Sequence, residues 1–188
     1  MSCNDRHPAR VKMKRVLGIC GSTKSGSTNE RLLQASAQAY AGRIELEIYQ
    51  GIGDMPHFNP DLDKADPPRE VANLRRLIDD ADGVLISTPE YVFSLPGALK
   101  NAIEWTVSTT VFADKPVAFI VAATSGEKAL ESLALILRTV GAKVDDDSMM
   151  LVRGAQAKLD ERNNILDDSM RHDIDRIMTA LLRNILIR

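Results

Sequence analysis

The chain has 188 residues, of which 44% are hydrophobic and 27% charged, and its formal net charge is −2. These values are typical of one globular domain with its own apolar core, and they argue against nucleic acid or anionic lipid as a partner. The two cysteines form no disulfide framework, and the three histidines lack the spacing of metal ligands. We therefore expect no nucleic-acid, membrane or metal partner.

The first 13 residues form a polar, charged leader, which we expect to be flexible. The leader contains no apolar segment of the kind found in secretory signals. The longest apolar run, residues 117–123, is far too short to cross a bilayer. The expectation is a cytoplasmic protein in which residues 14–188 form a single domain.

Apolar runs of strand length alternate with segments of helical periodicity along the chain. The predicted strands are 15–20, 43–50, 83–88, 116–123 and 143–152, with interruption of the last by the acidic run 145–147 as an open alternative. The predicted helices are 27–41, 67–81, 96–108, 127–140 and a C-terminal helix with an apolar stripe over 174–186. This alternation predicts an α/β fold with a parallel sheet and helices on both faces.

The hydrophobic pattern of each strand indicates the order of the strands in the sheet. Strands one, three and four are continuous apolar runs, as central strands covered on both faces are. Strand two alternates apolar residues with Glu45 and Glu47, and strand five carries charges, so both are typical of sheet edges. The prediction is a flavodoxin-like, doubly wound, five-stranded parallel sheet of order 2-1-3-4-5, with its ligand site at the switch point between strands one and three.

The loop after strand one, residues 21–29, contains glycine, hydroxyls, one amide and Lys24. Its hydroxyl groups include those of Ser22, Ser25, Ser27 and Thr28. Because free N–H groups at a helix N-terminus bind anions, this composition suits a dianionic monophosphate. The glycine and lysine spacing matches neither a Walker loop nor a dinucleotide fingerprint. The structural alternative is that Ser27 or Thr28 merely caps the first helix.

The loop after strand three is stiffened by Pro89 and Pro96 and carries Tyr91 and Phe93 at its tip. A rigid loop with two aromatic side chains beside a phosphate site suggests a flat, aromatic ligand. These aromatic residues could equally cover the core.

Together the two loops resemble the signatures of the NADPH-dependent FMN reductase family, which includes quinone, chromate and azo-compound reductases. The first signature, G-S-x-R-x-x-S-x-N, is matched by Gly21, Ser22, Ser27 and Asn29. The second, P-E-Y-N-x-S-x-P-G-x-L-K-N-A-I-D-W, is matched at most of its positions between Pro89 and Trp105. The resemblance extends over roughly residues 15–140 and includes the segment 55–61 after strand two.

The resemblance implies one FMN per subunit, NADPH or NADH as the electron donor, and a small acceptor such as a quinone, free flavin, azo compound or chromate. The residues implied for the phosphate are Ser22, Lys24, Ser27 and Asn29. Those implied for the isoalloxazine are Pro89, Glu90 and Tyr91 on one side and Thr124, Ser125 and Gly126 on the other. We include Thr28, Val92 and Phe93, which lie in the same loops, among the expected cofactor-binding residues. No catalytic side chain is expected, because the hydride passes through the flavin.

The family is usually dimeric or tetrameric, and we expect a homodimer or homotetramer here. Tyr91, Phe93 and Trp105 lie on or beside one loop and would leave an apolar patch on a monomer. Trp105 itself is expected in the core or an interface, and Glu90 could be either a flavin contact or a surface salt-bridge partner.

Three features depart from the family pattern. Lys24 replaces an arginine, Val92 stands where asparagine is usual, and the loop after strand four lacks the usual glycine pair. A flavodoxin-type electron carrier is the alternative function, although such carriers are typically much more acidic than this chain. A protein that uses FMN as a signal is a further alternative.

Overall fold

The computed structural model describes residues 13–188, so the polar leader predicted over residues 1–13 lies, except for Met13, outside the described residues. The strands are β1 (Lys14–Cys20), β2 (Ile44–Tyr49), β3 (Gly83–Thr88), β4 (Val117–Ala122) and β5 (Met149–Val152). The helices are α1 (Thr28–Ala39), α2 (Arg69–Asp80), α3 (Gly97–Glu104), α4 (Glu127–Thr139) and α5 (Asp168–Leu186). Short 3-10 helices occupy Pro60–Leu62, Asp146–Ser148 and Ala155–Lys158.

The five strands form one parallel sheet of order β2-β1-β3-β4-β5, which confirms the predicted fold and strand order. Leu85 of β3 pairs with Gly18 of β1 on one side and with Ala118 of β4 on the other. Residues of β3 are buried along the whole strand, whereas β2 alternates between buried and exposed positions. The continuous apolar runs therefore identified the central strands correctly, and the alternating run identified an edge.

Helices cover both faces of the sheet. Side chains of α1 and α5 pack with Val16, Leu85 and Ile120 on one face. Those of α2, α3 and α4 pack with Ile86 and Phe119 on the other face. None of the helices in residues 13–188 combines the length and apolar character that crossing a bilayer requires.

Two predicted boundaries were wrong. Helix α3 ends at Glu104 rather than at residue 108, because Thr106 Oγ1 donates back to Ile103 O at 2.7 Å and Arg75 Nε donates to Trp105 O at 2.7 Å. Such contacts offer the backbone an alternative to the helical ladder. Strand β5 is confined to Met149–Val152 because the acidic run before it turns as a 3-10 helix.

Two expectations about apolar residues also need correction. Trp105 is 0% exposed and packs edge-on against Phe58, so it lies in the core as expected but adds nothing to a patch around Tyr91 and Phe93. Leu186, predicted on the buried stripe of the last helix, is 70% exposed because it lies at the final turn of α5, beyond the sheet.

Candidate functional site

Three loops meet at the carboxyl edge of the sheet, because β1, β3 and β4 are neighbours. The first of them crosses directly over the end of β3. Gly21 N donates to Ser87 O at 2.8 Å, and a Cβ at Gly21 would collide with the side chain of Thr88. Glycine is therefore required at this position for the loop after β1 to approach the loop after β3.

The loop after β1 is fixed by contacts at the start of α1. Ser27 is the N-cap of α1, and its Oγ accepts from Glu30 N at 3.2 Å. The Glu30 carboxylate in turn accepts from Gly26 N at 2.9 Å. Ser22 Oγ accepts from Lys24 N at 3.3 Å. The capping alternative is thus correct for Ser27, and it leaves other donors of the loop free.

The free donors of this loop fit a monophosphate. The amide N–H groups of Ser25, Thr28 and Asn29 donate to no acceptor within residues 13–188. Lys24 is exposed, and its ammonium forms no ion pair in the described part of the chain. Unsatisfied amides at a helix N-terminus beside a cation form a site for a negatively charged oxygen ligand.

Asn29 is, with Ser22 and Ser27, one of the buried polar residues of this loop, and 4% of its surface is exposed. Its Oδ1 accepts from Ser87 Oγ at 3.0 Å, which joins α1 to β3. Its Nδ2 donates to no protein acceptor among the described residues and remains a donor for a ligand. Asn29 therefore has both a structural partner and a free polar group.

The tip of the loop after β3 is a two-residue turn between Tyr91 and Ser94. Tyr91 N donates to Ser94 O and Ser94 N to Tyr91 O, each at 3.0 Å. Val92 and Phe93 between them have φ values of 53° and 55°, the left-handed pair of a type I′ turn. The side chains of Tyr91, Val92 and Phe93 are 54%, 95% and 74% exposed, so they do not cover the core.

The loop after β4 is held by the loop after β3. Thr124 and Ser125 are exposed, and Gly126, with φ +106°, is the N-cap of α4. Glu90 Oε1 accepts from Gly126 N at 3.1 Å, and Glu90 Oε2 accepts from Ala129 N at 2.9 Å. The Glu90 carboxylate thus caps α4 and forms no salt bridge with another described residue.

The last residues of the second signature hold the loop that follows β2. Asn101 Oδ1 accepts from Phe58 N at 2.7 Å, and Asn101 Nδ2 donates to Pro56 O at 2.9 Å. Trp105 Nε1 donates to the same Pro56 oxygen at 2.8 Å. These two signature residues therefore have scaffolding roles that are visible in the structure.

A salt bridge extends this scaffold. Arg75 Nη2 lies 2.7 Å from Asp63 Oδ1, which also accepts from Ser108 Oγ at 2.9 Å. Burial raises the pKa of Asp63, but the hydrogen bonds from Arg75 and Ser108 together lower that pKa further, so its net value lies below the ordinary range. Asp63 is therefore ionised at neutral pH and holds the segment that precedes α2 against the end of α3.

Two side chains of the candidate site were not predicted from the sequence. Ser87 lies inside an apolar strand, and nothing in the sequence says that its hydroxyl meets Asn29. Glu30 could have been found, because a serine followed three residues later by glutamate is the pattern of a capping box. In the structure the Glu30 carboxylate accepts a hydrogen bond from Gly26 N rather than from the amide of the N-cap residue, Ser27.

Larger grooves lie away from these loops. One of about 740 Å³ runs between α1 and α5 past Tyr40 and His172, and one of about 770 Å³ lies between β2 and α2. A cleft of about 260 Å³ borders the loop after β1 and is lined by Ser22, Lys24 and Glu30, among others. Within residues 13–188, no three His, Cys, Asp or Glu side chains are placed to hold a metal ion.

The strand order β2-β1-β3-β4-β5 defines a flavodoxin-like, doubly wound α/β protein whose switch point lies between β1 and β3. Residues 14–156 match the family described as NADPH-dependent FMN reductase, and the chain belongs to this family. It is accordingly an FMN-dependent oxidoreductase that takes electrons from NAD(P)H.

Individual relatives agree with this assignment. An NAD(P)H-dependent FMN reductase of Pseudomonas aeruginosa is 32% identical over 173 residues, covering 89% of this chain and 92% of the relative. A subunit of NADH:(hydroxy)cinnamate reductase of Vibrio ruber is 34% identical over 168 residues, covering 86% and 82%. The structure of FerB, a flavoenzyme NAD(P)H:(acceptor) oxidoreductase of Paracoccus denitrificans, superposes with a TM-score of 0.77 at 27% identity and covers 92% of this chain and 97% of FerB. Quinone reductases are also among the relatives.

Proposed function

We propose that this chain holds FMN in the three loops after β1, β3 and β4 and uses it to reduce small, quinone-like acceptors with NAD(P)H. The observation that carries the proposal is the group of unsatisfied amides of Ser25, Thr28 and Asn29 beside Lys24, at the switch point of the sheet. The phosphate residues in this proposal are Ser22, Lys24, Ser27, Thr28 and Asn29.

The ring of the flavin is assigned to the other two loops. The residues proposed for it are Pro89, Glu90, Tyr91, Val92, Phe93, Thr124, Ser125 and Gly126. FMN, when bound, supplies the hydride-accepting centre. The chain itself binds the phosphate, orients the ring between two fixed loops and leaves space for the donor and the acceptor. No side chain of the chain is required as an acid or base, so we assign no catalytic residue.

The acceptor, the assembly and the compartment are part of the same proposal. The relatives' names support a quinone-like acceptor, and the mild net charge of −2 does not favour a flavodoxin-type carrier. The exposed apolar tip formed by Tyr91, Val92 and Phe93 supports a homodimer or homotetramer in which a second copy covers it. We further propose that residues 14–188 form a single domain and that the protein works in the cytoplasm, where reduced nicotinamides are plentiful.

Anaerobic titration of the FMN-reconstituted protein with NADPH or NADH, followed in the visible spectrum, tests this function. We expect bleaching of the flavin and then multiple turnovers with free benzoquinone and no protein partner. A flavin that neither nucleotide bleaches within minutes would contradict the reductase and favour the carrier.

The phosphate loop is tested separately with Ser22→Asp, which sets a carboxylate against the phosphate. We expect FMN affinity to fall roughly tenfold to a hundredfold, because like charges are placed together in a partly desolvated loop. Ser169→Asp is the matched control, since it adds the same charge to the first turn of α5, away from the three loops. Equal affinity in both variants would remove the loop after β1 from the site.

A further inference from the structure

Glu90 joins the two loops that are assigned to the flavin ring. It lies two residues beyond the end of β3, whereas its hydrogen-bond partners lie at the start of α4, 36 and 39 residues further along the chain. Each carboxylate oxygen accepts one backbone N–H, from Gly126 at 3.1 Å and from Ala129 at 2.9 Å. Hydrogen bonds between an ionised carboxylate and helix N-terminal amides are among the stronger ones in proteins.

Helix α4 is unable to supply this cap from its own N-cap position. Gly126 has φ +106°, and a Cβ there would collide with the Leu151 side chain. Both features exclude the serine, threonine or aspartate that normally caps a helix from this position. The cap therefore comes from a different loop, which makes the position of α4 depend on the position of the loop after β3.

We propose that Glu90 is a positioning residue that sets the separation of the two loops on either side of the flavin ring. The inference rests on the proposed function, because it takes these loops as the ring site. With both oxygens engaged by α4, Glu90 fixes residues 124–126 relative to Pro89 and Tyr91. It also places negative charge at the N-terminus of α4, which disfavours a second anion there.

The test compares Glu90→Gln and Glu90→Ala with Glu127→Gln. Glutamine keeps the shape of Glu90 but presents an NH₂ group to one of the two amides, and alanine removes both bonds. Glu127→Gln removes a carboxylate from the first turn of the same helix without breaking the link between the loops. The measurements are hydrogen exchange of the Gly126 and Ala129 amides without flavin, binding of riboflavin and FMN, and the rate of anaerobic flavin reduction by NADPH at saturating FMN.

In both Glu90 variants we expect faster exchange of the two amides, and an equal loss of riboflavin and FMN affinity of about tenfold, because only the ring side is disturbed. The rate of flavin reduction should fall together with the flavin affinity in the Glu90 variants. In Glu127→Gln, both quantities should stay within about twofold of wild type. Glu90→Gln keeps the test valid if Glu90→Ala fails to fold.

Faster exchange with unchanged flavin affinity and reduction rate would show a purely structural cap and overturn the proposal. Equal losses in Glu127→Gln would also overturn it, because charge at the helix end would then be the cause. Wild-type protein that binds neither flavin would overturn the ring-site assignment itself, and this proposal with it. Failure of the ring-site assignment is therefore distinguishable from failure of the positioning role of Glu90.

Discussion

Asn29 and Ser87 share a buried side-chain hydrogen bond of 3.0 Å that joins the start of α1 to the end of β3. Both residues are almost fully buried, so this bond is formed away from water. Removing one partner of such a bond destabilises the fold by more than the intact bond stabilises it, because the remaining buried group is left without a hydrogen-bond partner. The bond fixes Asn29, whose Oδ1 has a partner in β3 while its Nδ2 stays available to the proposed ligand.

Ser87→Ala should weaken FMN binding about tenfold and lower the free energy of unfolding by about 1–3 kcal/mol, because Asn29 Oδ1 loses its donor. The measurements are a flavin titration and denaturant unfolding of the flavin-free protein. Ser36→Ala is the control, since Ser36 is also buried but donates to Leu32 O within α1. We expect that variant to lose some stability while keeping its FMN affinity. FMN binding that is unaffected in Ser87→Ala would contradict a role for this bond in the site.

Lys24→Arg should raise FMN affinity about threefold to tenfold, because a guanidinium grips phosphate with two parallel hydrogen bonds and an ammonium acts as a point charge. Riboflavin has no phosphate, so its affinity should not change. Lys128→Arg is the control, since Lys128 is exposed on α4 and pairs with Glu131. A gain that is the same for riboflavin and FMN would show that Lys24 acts elsewhere than on the phosphate.

Asp63→Asn should make stability less dependent on acid pH. The folded pKa of Asp63 lies below its unfolded value, so its ionisation stabilises the fold above the ordinary pKa, and this stabilisation is lost as the pH falls through the folded pKa. We expect the variant to be about 1–3 kcal/mol less stable at pH 7 and the difference to shrink below pH of about 4. Denaturant unfolding from pH 7 to pH 3 measures this. Asp61→Asn, at a neighbouring exposed carboxylate, is the control and should change stability little at pH 7. A stability difference in Asp63→Asn that does not vary with pH would contradict the prediction.

The sheet could be predicted from the sequence because the pattern of apolar residues in each strand reflects how many of its faces are buried. Gly83–Thr88 begins with a continuous apolar run, is buried throughout and lies at the centre, whereas Ile44–Tyr49 alternates and lies at the edge. The end of α3 could not be predicted in the same way. It depends on Arg75, thirty residues away, donating to the Trp105 carbonyl, and such a contact leaves no local pattern.

The candidate site shows the same division. The loop after β1 could be proposed as an anion site from its composition, because amides, hydroxyls and a lysine at a helix start suit a negatively charged ligand. Glu90 was ambiguous, since a lone carboxylate in a loop can contact a ligand, a cation or a helix end. Its true partners, Gly126 and Ala129, are brought to it only when β4 pairs beside β3.

The turn at Val92 and Phe93 makes one departure from the family pattern, valine in place of asparagine, energetically unfavourable. Both residues have positive φ, a conformation that costs a residue with a Cβ roughly 1–2 kcal/mol and that a β-branched residue tolerates badly. Asparagine, which the family usually carries at position 92, adopts it more readily and is favoured at this place in a type I′ turn. Position 92 is thus constrained by its backbone, independently of any contact with the flavin.

Val92→Asn should therefore raise the free energy of unfolding by about 1 kcal/mol, measured by denaturant unfolding of the flavin-free protein. Val107→Asn is the matched control, because Val107 is also exposed but does not have positive φ, and we expect no gain from it. Because Val92 lies in the loop assigned to the ring and carries no polar group there, the substitution should also change the ratio of kcat/KM for benzoquinone to that for free FMN. An equal gain in both variants would show that polarity, and not the left-handed backbone, is the cause. A gain in stability with an unchanged ratio of kcat/KM would support backbone strain at the turn but would contradict a role of Val92 in acceptor preference.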